Sequence, residues 1–397
     1  MLMKHDPIVI VGAARTPLGG FQGDFSSLSA PELGAAAIRA AISRGGVQPS
    51  AVGEVIMGCV LQAGLGQAPA RQASLGAGVP ESVGCSTISK VCGSGMKAVM
   101  LAHDMILAGT ADVIVAGGME SMSNAPYILE RARAGYRMGH GRVIDHMFFD
   151  GIEDAYEKGR LMGTFAEDCA QSYGFSRQEQ DAYALESLRR ALHAVESGIF
   201  DSEIVPVAVK GRKGEVLISR DEQPGKAMPE KIPTLKPAFR SGGTVTAANS
   251  SSISDGAAAL TLTRKSTAQE KGWKILAEVK GHATYAQKPA LFTTAPVGAI
   301  RRLLDRLDWR CGDVDLFEIN EAFAVISMAA MRDLEVPHEK VNIHGGACAL
   351  GHPIGASGAR LLVTLLAALT KYNLQRGVAS LCIGGGEATA VALEINA

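Results

Sequence analysis

The chain predicts an α/β protein with a largely parallel sheet, built from two duplicated halves around a dissimilar middle region. Three observations predict it. Short apolar runs alternate with stretches of helical periodicity, the pattern of stacked strand and helix layers. Glycine clusters punctuate the junctions: Gly93 and Gly95, Gly117-Gly118, Gly355 and Gly358, Gly384-Gly385-Gly386. An internal repeat joins the two ends of the chain. Cys92-Gly-Ser-Gly95 opens a helix, and Ala111–Glu120 then gives a strand and a glycine turn. Gly355-Ala-Ser-Gly358 opens another, and Val378–Glu387 gives the same sequel. Laying Glu120 on Glu387 sets Val115 opposite Cys382. Coincidence among glycine-rich turns is the alternative to duplication.

In chain order, Pro7–Val11 is an apolar run read as a buried first strand. Ala30–Arg44 has helical periodicity, and Glu54–Cys59 is a second apolar strand. Met96–Ala108 reads as a helix and Asp112–Ala116 as a strand. From 121 to 249 the rhythm fades, charge rises and five of the seven tyrosines occur. Gln178–Glu196 is the clear amphipathic helix there. The rhythm then resumes. Ile275–Lys280, Asp315–Ile319 and Ala379–Ile383 read as strands, and Val297–Leu307, Ala322–Leu334 and Ala359–Tyr372 as helices. The expected division is 1–120 completed by 250–272, an inserted region 121–249, and a second half 273–397.

Composition narrows the function. The 397 residues suffice for a large core, and 47% are hydrophobic. A formal net charge of −1 supplies no field to recruit nucleic acid or an anionic membrane. No apolar stretch approaches a membrane span, and Ile8–Val11 is too short for a secretion signal. Seven cysteines without a CxxC pair argue against a disulfide framework, against a metal site, and for a reducing, cytoplasmic setting. Residues 205–240 hold eight Lys/Arg against four Asp/Glu, a local excess of +4. That reads either as a solvated loop face or as a dock for ligand phosphates through Lys210, Arg212 and Lys213.

Two cysteines and a histidine stand beside the glycine clusters. Cys92 sits at a helix entry, where unpaired N–H groups favour a thiolate. His352, between Gly351 and Pro353, suits a base or an oxyanion donor. Cys382 ends an apolar strand, and Gly384 offers an N–H to an oxyanion. Taken singly, either cysteine reads as a small buried hydrophobe. Asn320, before a predicted helix, reads equally as an N-cap. Together they suggest one thiol to carry an acyl group, a base to activate it, and a second thiol to move a proton.

Five blocks carry a family resemblance: Val-Cys-Gly-Ser-Gly (91–95), Gly-Gly-Met-Glu-Ser-Met-Ser (117–123), Asn-Glu-Ala-Phe-Ala (320–324), the run 345–360 around Gly-His-Pro, and Cys-Ile-Gly-Gly-Gly (382–386). In this order they span essentially the whole chain, which resembles the thiolases, specifically the acetyl-CoA C-acetyltransferases. The resemblance implies two βαβαβ halves with an inserted loop domain over coenzyme A. It implies reversible condensation of two acetyl-CoA to acetoacetyl-CoA and CoA, in fatty-acid metabolism. Coenzyme A thioesters are then the substrates, with no separate cofactor, and a homotetramer forms through a loop at 124–146.

Residue by residue, Cys92 matches the acylated nucleophile and His352 its activator. Asn320 matches the residue that positions a water, and Cys382 the acid/base for the α-proton. The N–H groups of Cys92 and Gly384 match an oxyanion hole, and Ser251 a serine beside the pantetheine arm. The chain departs from the family at Ser89, usually Asn, and at Leu161-Met162-Gly163, commonly His-Met-Gly. Leu161, with Met162 and Phe292, then makes an apolar acyl wall. This keeps a broader-range 3-ketoacyl-CoA thiolase open as an alternative. A non-catalytic acyl-CoA-binding protein on the same fold is the alternative from another class.

Overall fold

The computed structural model describes residues 6–211 and 214–395. The first half runs β1 (Ile8–Arg15), α1 (Ala30–Arg44), β2 (Glu54–Gly58), α2 (Pro69–Gly76), β3 (Gly84–Ile88), α3 (Ser94–Leu107) and β4 (Val113–Ser121). The insert carries α4 (Met162–Tyr173), α5 (Arg177–Glu196) and a hairpin of β5 (Val207–Gly211) and β6 (Gly214–Ile218). Next come β7 (Ser254–Arg264) and α6 (Lys265–Lys271). The second half has β8 (Ala277–Ala286), α7 (Ala295–Leu307), β9 (Leu316–Ile319), α8 (Ala324–Leu334), α9 (Ser357–Tyr372), β10 (Arg376–Ile383) and β11 (Glu387–Glu394).

Local chemistry explains several boundaries. At α1 the Glu32 carboxylate accepts the Ser29 N–H at 2.8 Å and Pro31 opens the first turn, so the helix starts where the periodicity does. At α5, Ser176 Oγ accepts the Glu179 N–H and Glu179 returns the bond to the Ser176 N–H, a reciprocal cap.

The main sheet runs β9-β10-β11-β8-β1-β7-β4-β2-β3, with Gly19–Gly20 pairing on β7. Only β9–β10, β2–β3 and β2–β4 pair in parallel; the other five pairings on this path are antiparallel. The largely parallel sheet expected from the apolar runs is therefore a mixed one. The runs reflect strands covered on both faces by helices, which makes them apolar whatever their direction. Duplication is visible in topology. The order β2-β4-β7-β1 pairs parallel, antiparallel, antiparallel, and β9-β10-β11-β8 repeats it. Within the sheet the two halves pair through β1 and β8, at Val9↔Glu278 and Ile10↔Ala277.

Side chains sort by the two-residue period of the strands. Val9 and Val11 join α1 and α2 in one outer core; Ile8 and Ile10 turn inward. The inner core holds α3 and α9 between the two half-sheets, with Leu260 from one half and Leu381 and Leu393 from the other. Ile300 and Leu303 of α7 and Ala330 of α8 cover the second outer face. The result is five layers, helix and sheet alternating.

At the centre the two repeated glycine motifs pack on each other. A Cβ on Gly95 would lie 2.9 Å from the Ala359 nitrogen, and one on Gly358 would lie 2.5 Å from the Met96 nitrogen. Both positions therefore exclude a side chain. This close approach brings the N-terminal ends of α3 and α9, and the loops feeding them, to one place.

The insert packs over that place. Phe165 of α4 meets Val325, Ile326 and Ala329 of α8, and Leu188 and Ala191 of α5 meet Leu350 and Leu18. Arg15, at the end of β1, reaches Glu203 and Asp221 of the insert with its side chain fully buried.

Candidate active site

A cavity of about 400 Å³ opens where the two halves and the insert meet. Cys92, His352, Cys382 and Gly384 line it, together with Ser251, Leu161, Met162 and Phe292. Eight of the residues singled out in the sequence thus share one space, although they are spread over almost 300 positions. Most of the remaining wall is apolar, including Phe148, Ile152, Phe239 and Ile354.

Cys92 lies two residues ahead of α3 in a tightly held turn. Val91 has φ +46°, a left-handed conformation that a β-branched residue rarely adopts. Ser94 Oγ fixes it, accepting the Lys90 N–H at 2.8 Å and donating to the Val91 carbonyl at 2.7 Å. Lys90 also pairs with Glu387 just past the Gly384–Gly386 turn, tying the Cys92 loop to the second half. The N–H groups of Gly384 and of Cys92 itself reach the Cys92 sulfur. Burial still outweighs them and pushes the thiol up to about 11.

His352 is held from both sides. Its N–H donates to the Ser252 carbonyl at 3.1 Å. Ser357 Oγ donates to the Pro353 carbonyl at 2.9 Å and lies 2.6 Å from Nδ1. The hydroxyl proton being spent on the carbonyl, Oγ accepts from Nδ1–H, which leaves the lone pair on Nε2. Burial, reinforced by the Arg360 charge, pushes the imidazole down to about 3. Thiol and imidazole are therefore both neutral at rest.

Asn320 follows β9 and is fully buried behind His352, with Nδ2 3.4 Å from Nε2. Its Oδ1 has no protein partner. The cap position of α8 belongs to Phe323, so Asn320 is not an N-cap. Cys382, next to last in β10, is 1% exposed yet borders the cavity. Burial, then the Cys92 sulfur nearby, holds its thiol well above the ordinary range.

Of the three cations expected to dock phosphates, the described residues include only Lys210. Lys210 is exposed on β5, a strand whose Val207 and Val209 pack on the α1 side of the molecule, and it is absent from the cavity wall. Arg212 and Lys213 lie outside the described residues.

Two carboxylates that hold the site were not singled out for this role. Glu120, fully buried at the end of β4, accepts the N–H groups of Val60 and Leu61 at 3.0 Å and of Gly355 at 2.8 Å. It thereby fixes the loop that carries His352. Glu321 gathers Tyr183, Ser187, Asn342 and the Cys348 N–H, clamping α5 to the second half. A Glu ending an otherwise apolar strand is the one sequence signal that marks Glu120.

Burial pushes Glu120 up to about 7 despite its three N–H donors. Burial favours the neutral acid, but its proton would face one of those three N–H donors, so the His352 loop loses an acceptor as pH falls below 7. We expect kcat/KM to fall as pH drops below about 7. Glu120→Gln should lower activity but flatten the profile down to pH 5, because the imidazole stays neutral there. A limb near 7 that persists in the variant would place the ionisation elsewhere.

Known proteins share this fold. Residues 8–266 match the family described as thiolase, N-terminal domain, and 273–395 match thiolase, C-terminal domain. Acetyl-CoA acetyltransferase 2 of Arabidopsis thaliana is 51% identical over 98% of this chain and 97% of its own. The acetyl-CoA acetyltransferase of Syntrophomonas wolfei is 48% identical over 98% of each. The crystal structure of the Bacillus anthracis acetyl-CoA acetyltransferase superposes with a TM-score of 0.95 at 42% identity, covering 98% of both chains. Acat5 thiolase from Ascaris suum, solved in complex with coenzyme A, superposes at 0.93 and 42% identity over 98% of this chain and 100% of that one. With both halves matched and the fold shared along nearly its whole length, this chain belongs to the thiolase family.

Proposed function

We propose that the protein is an acetyl-CoA C-acetyltransferase, condensing two acetyl-CoA to acetoacetyl-CoA and CoA, reversibly, through an acetyl-Cys92 intermediate. The observation that carries this is the convergence of two neutral thiols, an oriented imidazole and two N–H donors on one largely apolar cavity. His352 Nε2 takes the Cys92 proton as sulfur attacks the acetyl carbonyl. The C–S bond to CoA breaks, and the departing CoA thiolate takes the proton of Cys382. Thioester is exchanged for thioester, so the acetyl group stays activated.

The charge on Cys382 sulfur then removes the α-proton of a second acetyl-CoA. The resulting enolate attacks acetyl-Cys92. Cys92 sulfur leaves and recovers its proton from His352, while Cys382, whose own proton departed with CoA, keeps the α-proton, so both thiols end neutral. Oxyanion donors matter because the carbon acid is weak; each strong one supplies about 3–4 kcal/mol. The N–H groups of Gly384 and Cys92 serve one oxyanion. His352, with a water positioned by Asn320, serves the other, and Ser251 flanks the pantetheine arm. Coenzyme A thioesters are the substrates, and no further cofactor enters the scheme.

The thiols separate experimentally. Cys382→Ser should still accept acetyl on Cys92 but lose turnover by about 10²–10⁴-fold, the usual worth of a positioned acid/base. Exchange of acetyl-CoA methyl protons with D₂O should slow with it. Unchanged exchange in Cys382→Ser would sink the assignment.

Chain-length range rests on the acyl wall. Leu161 precedes α4, and the rings of Phe292 and Phe165 meet edge to face at 6.0 Å. An apolar wall favours one added methylene or α-methyl by about 1–3 kcal/mol at most. We expect acetoacetyl-CoA to remain the best substrate, with activity on branched five-carbon relatives that Leu161→His removes. Steady-state thiolysis across chain lengths checks this. A kcat/KM rising steadily to eight carbons would favour the broader-range 3-ketoacyl-CoA thiolase instead.

The setting proposed is the cytoplasm, in fatty-acid metabolism. All seven cysteines are free, in keeping with a reducing compartment, and no described helix is long and apolar enough to cross a membrane. Assembly is proposed as a homotetramer, two dimers joined through residues 124–146, where Tyr127, Met138 and Val143 are exposed.

A further inference from the structure

At the end of α3 away from Cys92, two histidines and an aspartate from opposite halves of the chain converge. His103 and Asp104 are neighbours on the helix, and His282 comes from β8, 178 residues beyond Asp104. A single carboxylate oxygen, Asp104 Oδ1, lies 3.1 Å from His103 Nδ1 and 2.8 Å from His282 Nε2. The imidazole rings stand perpendicular with centroids 5.1 Å apart. One ligand atom from each of the three lies within 4.8 Å of the others. Exposure is graded: the His103 and His282 side chains are 12% and 17% exposed, and Asp104 is 52% exposed.

We propose that His103, Asp104 and His282 form a binding site for a divalent transition-metal ion of the zinc, cobalt or nickel type. The donor set is two imidazoles and one carboxylate, the chemistry these borderline cations select over calcium or magnesium. Three ligands at about 2.0–2.2 Å from an ion lie roughly 3.3–3.5 Å from one another in a tetrahedron. Asp104 Oδ1 already lies within 3.1 Å of both nitrogens, so the closure needed, on the order of 1 Å, falls between the two imidazoles. The open face above Asp104 leaves a coordination position for water. Turning the two rings is all that this closure asks, because the fold already packs α3 against the strands of the second half.

The ion would act at a distance from the chemistry. It joins α3, whose far end feeds the nucleophile loop, to β8 of the other half. Few strand pairs connect those halves directly. A bound ion would therefore clip the halves together without touching the cavity, none of whose walls these residues form. A hydrogen-bonded His–Asp–His cluster with no affinity for metal is the competing account.

Cobalt titration of the full chain, freed of any added histidine tag and stripped with chelator, distinguishes them. One Co²⁺ should bind per chain at micromolar concentration, with the visible absorption of a four- or five-coordinate nitrogen and oxygen site. Saturation should raise the melting temperature by about 2 °C or more, since the ion binds only the folded state. His103→Gln and His282→Gln should each weaken binding at least 30-fold and remove the spectrum. Thiolase turnover in both variants should match the parent chain, which certifies their folding. No binding below millimolar Co²⁺ would overturn the proposal. So would an isotherm unchanged in both variants, or a sulfur-to-cobalt charge-transfer band indifferent to them.

Discussion

Cys92→Ser should leave no acetyl adduct and almost no turnover. Incubated with acetyl-CoA, the parent chain should gain one acetyl group by intact-protein mass spectrometry, and the variant none. We expect kcat to fall by about four to six orders of magnitude, the scale on which removing a nucleophile acts. The reason is local. The turn at Val91, the Ser94 bonds and the Gly384 N–H all survive the substitution, so the hydroxyl occupies the same place. What is lost is a group that His352 Nε2 can deprotonate and that leaves readily from the second tetrahedral intermediate. An unchanged melting curve would show that the loss is chemical. An adduct of equal yield on the variant would move the nucleophile elsewhere.

Arg15→Met should produce the largest loss of stability. The guanidinium is fully buried, bidentate to Asp221 at 2.7 and 2.9 Å, bonded to Glu203, and 4.8 Å above the Phe200 ring. Methionine restores much of the volume but none of the charge. Two carboxylates, 2% and 3% exposed, would then face each other without a counter-ion. Breaking one side of a buried ion pair costs on the order of 3–5 kcal/mol. A urea midpoint shifted by that amount is the expected reading. Arg15→Lys should recover only part of it, since a point charge cannot span both oxygens of Asp221. Because Arg15 joins β1 to the insert, proteolysis of the Glu203 and Asp221 segments should quicken in parallel. A shift below about 1 kcal/mol would show that the network contributes little.

Much of this molecule is legible before folding, and the exceptions have physical causes. α1 begins and ends where its periodicity does, because Glu32, Pro31 and Gly45 punctuate it locally. β7 and β11 pass unnoticed, since Ala-Ala-Ala and Ala-Thr-Ala-Val-Ala are weak strand formers on propensity. They are strands because both lie inside the sheet, paired on each side, with their side chains buried. Cys92, His352 and Cys382 stand out through the glycines that clear space around them. Glu120 and Ser357 do not, because their work is to hold a backbone or a ring. The site for a cation at His103 and His282 is invisible to spacing, as its ligands meet only through the packing of α3.

The resting state of Cys92 has a consequence for the enzyme's durability. With its thiol pushed up to about 11, the reactive anion is scarce at pH 7. Peroxide and simple alkylating agents consume thiolates, so a catalytic sulfur kept protonated is poorly visible to them. In the proposed mechanism the anion forms only as a carbonyl comes within reach of the Gly384 and Cys92 amides. Electrophiles shaped like a thioester summon their own target, whereas indiscriminate ones find a quiet thiol. Selective covalent inhibition of such a site therefore depends less on the warhead's reactivity than on its capacity to imitate an oxyanion.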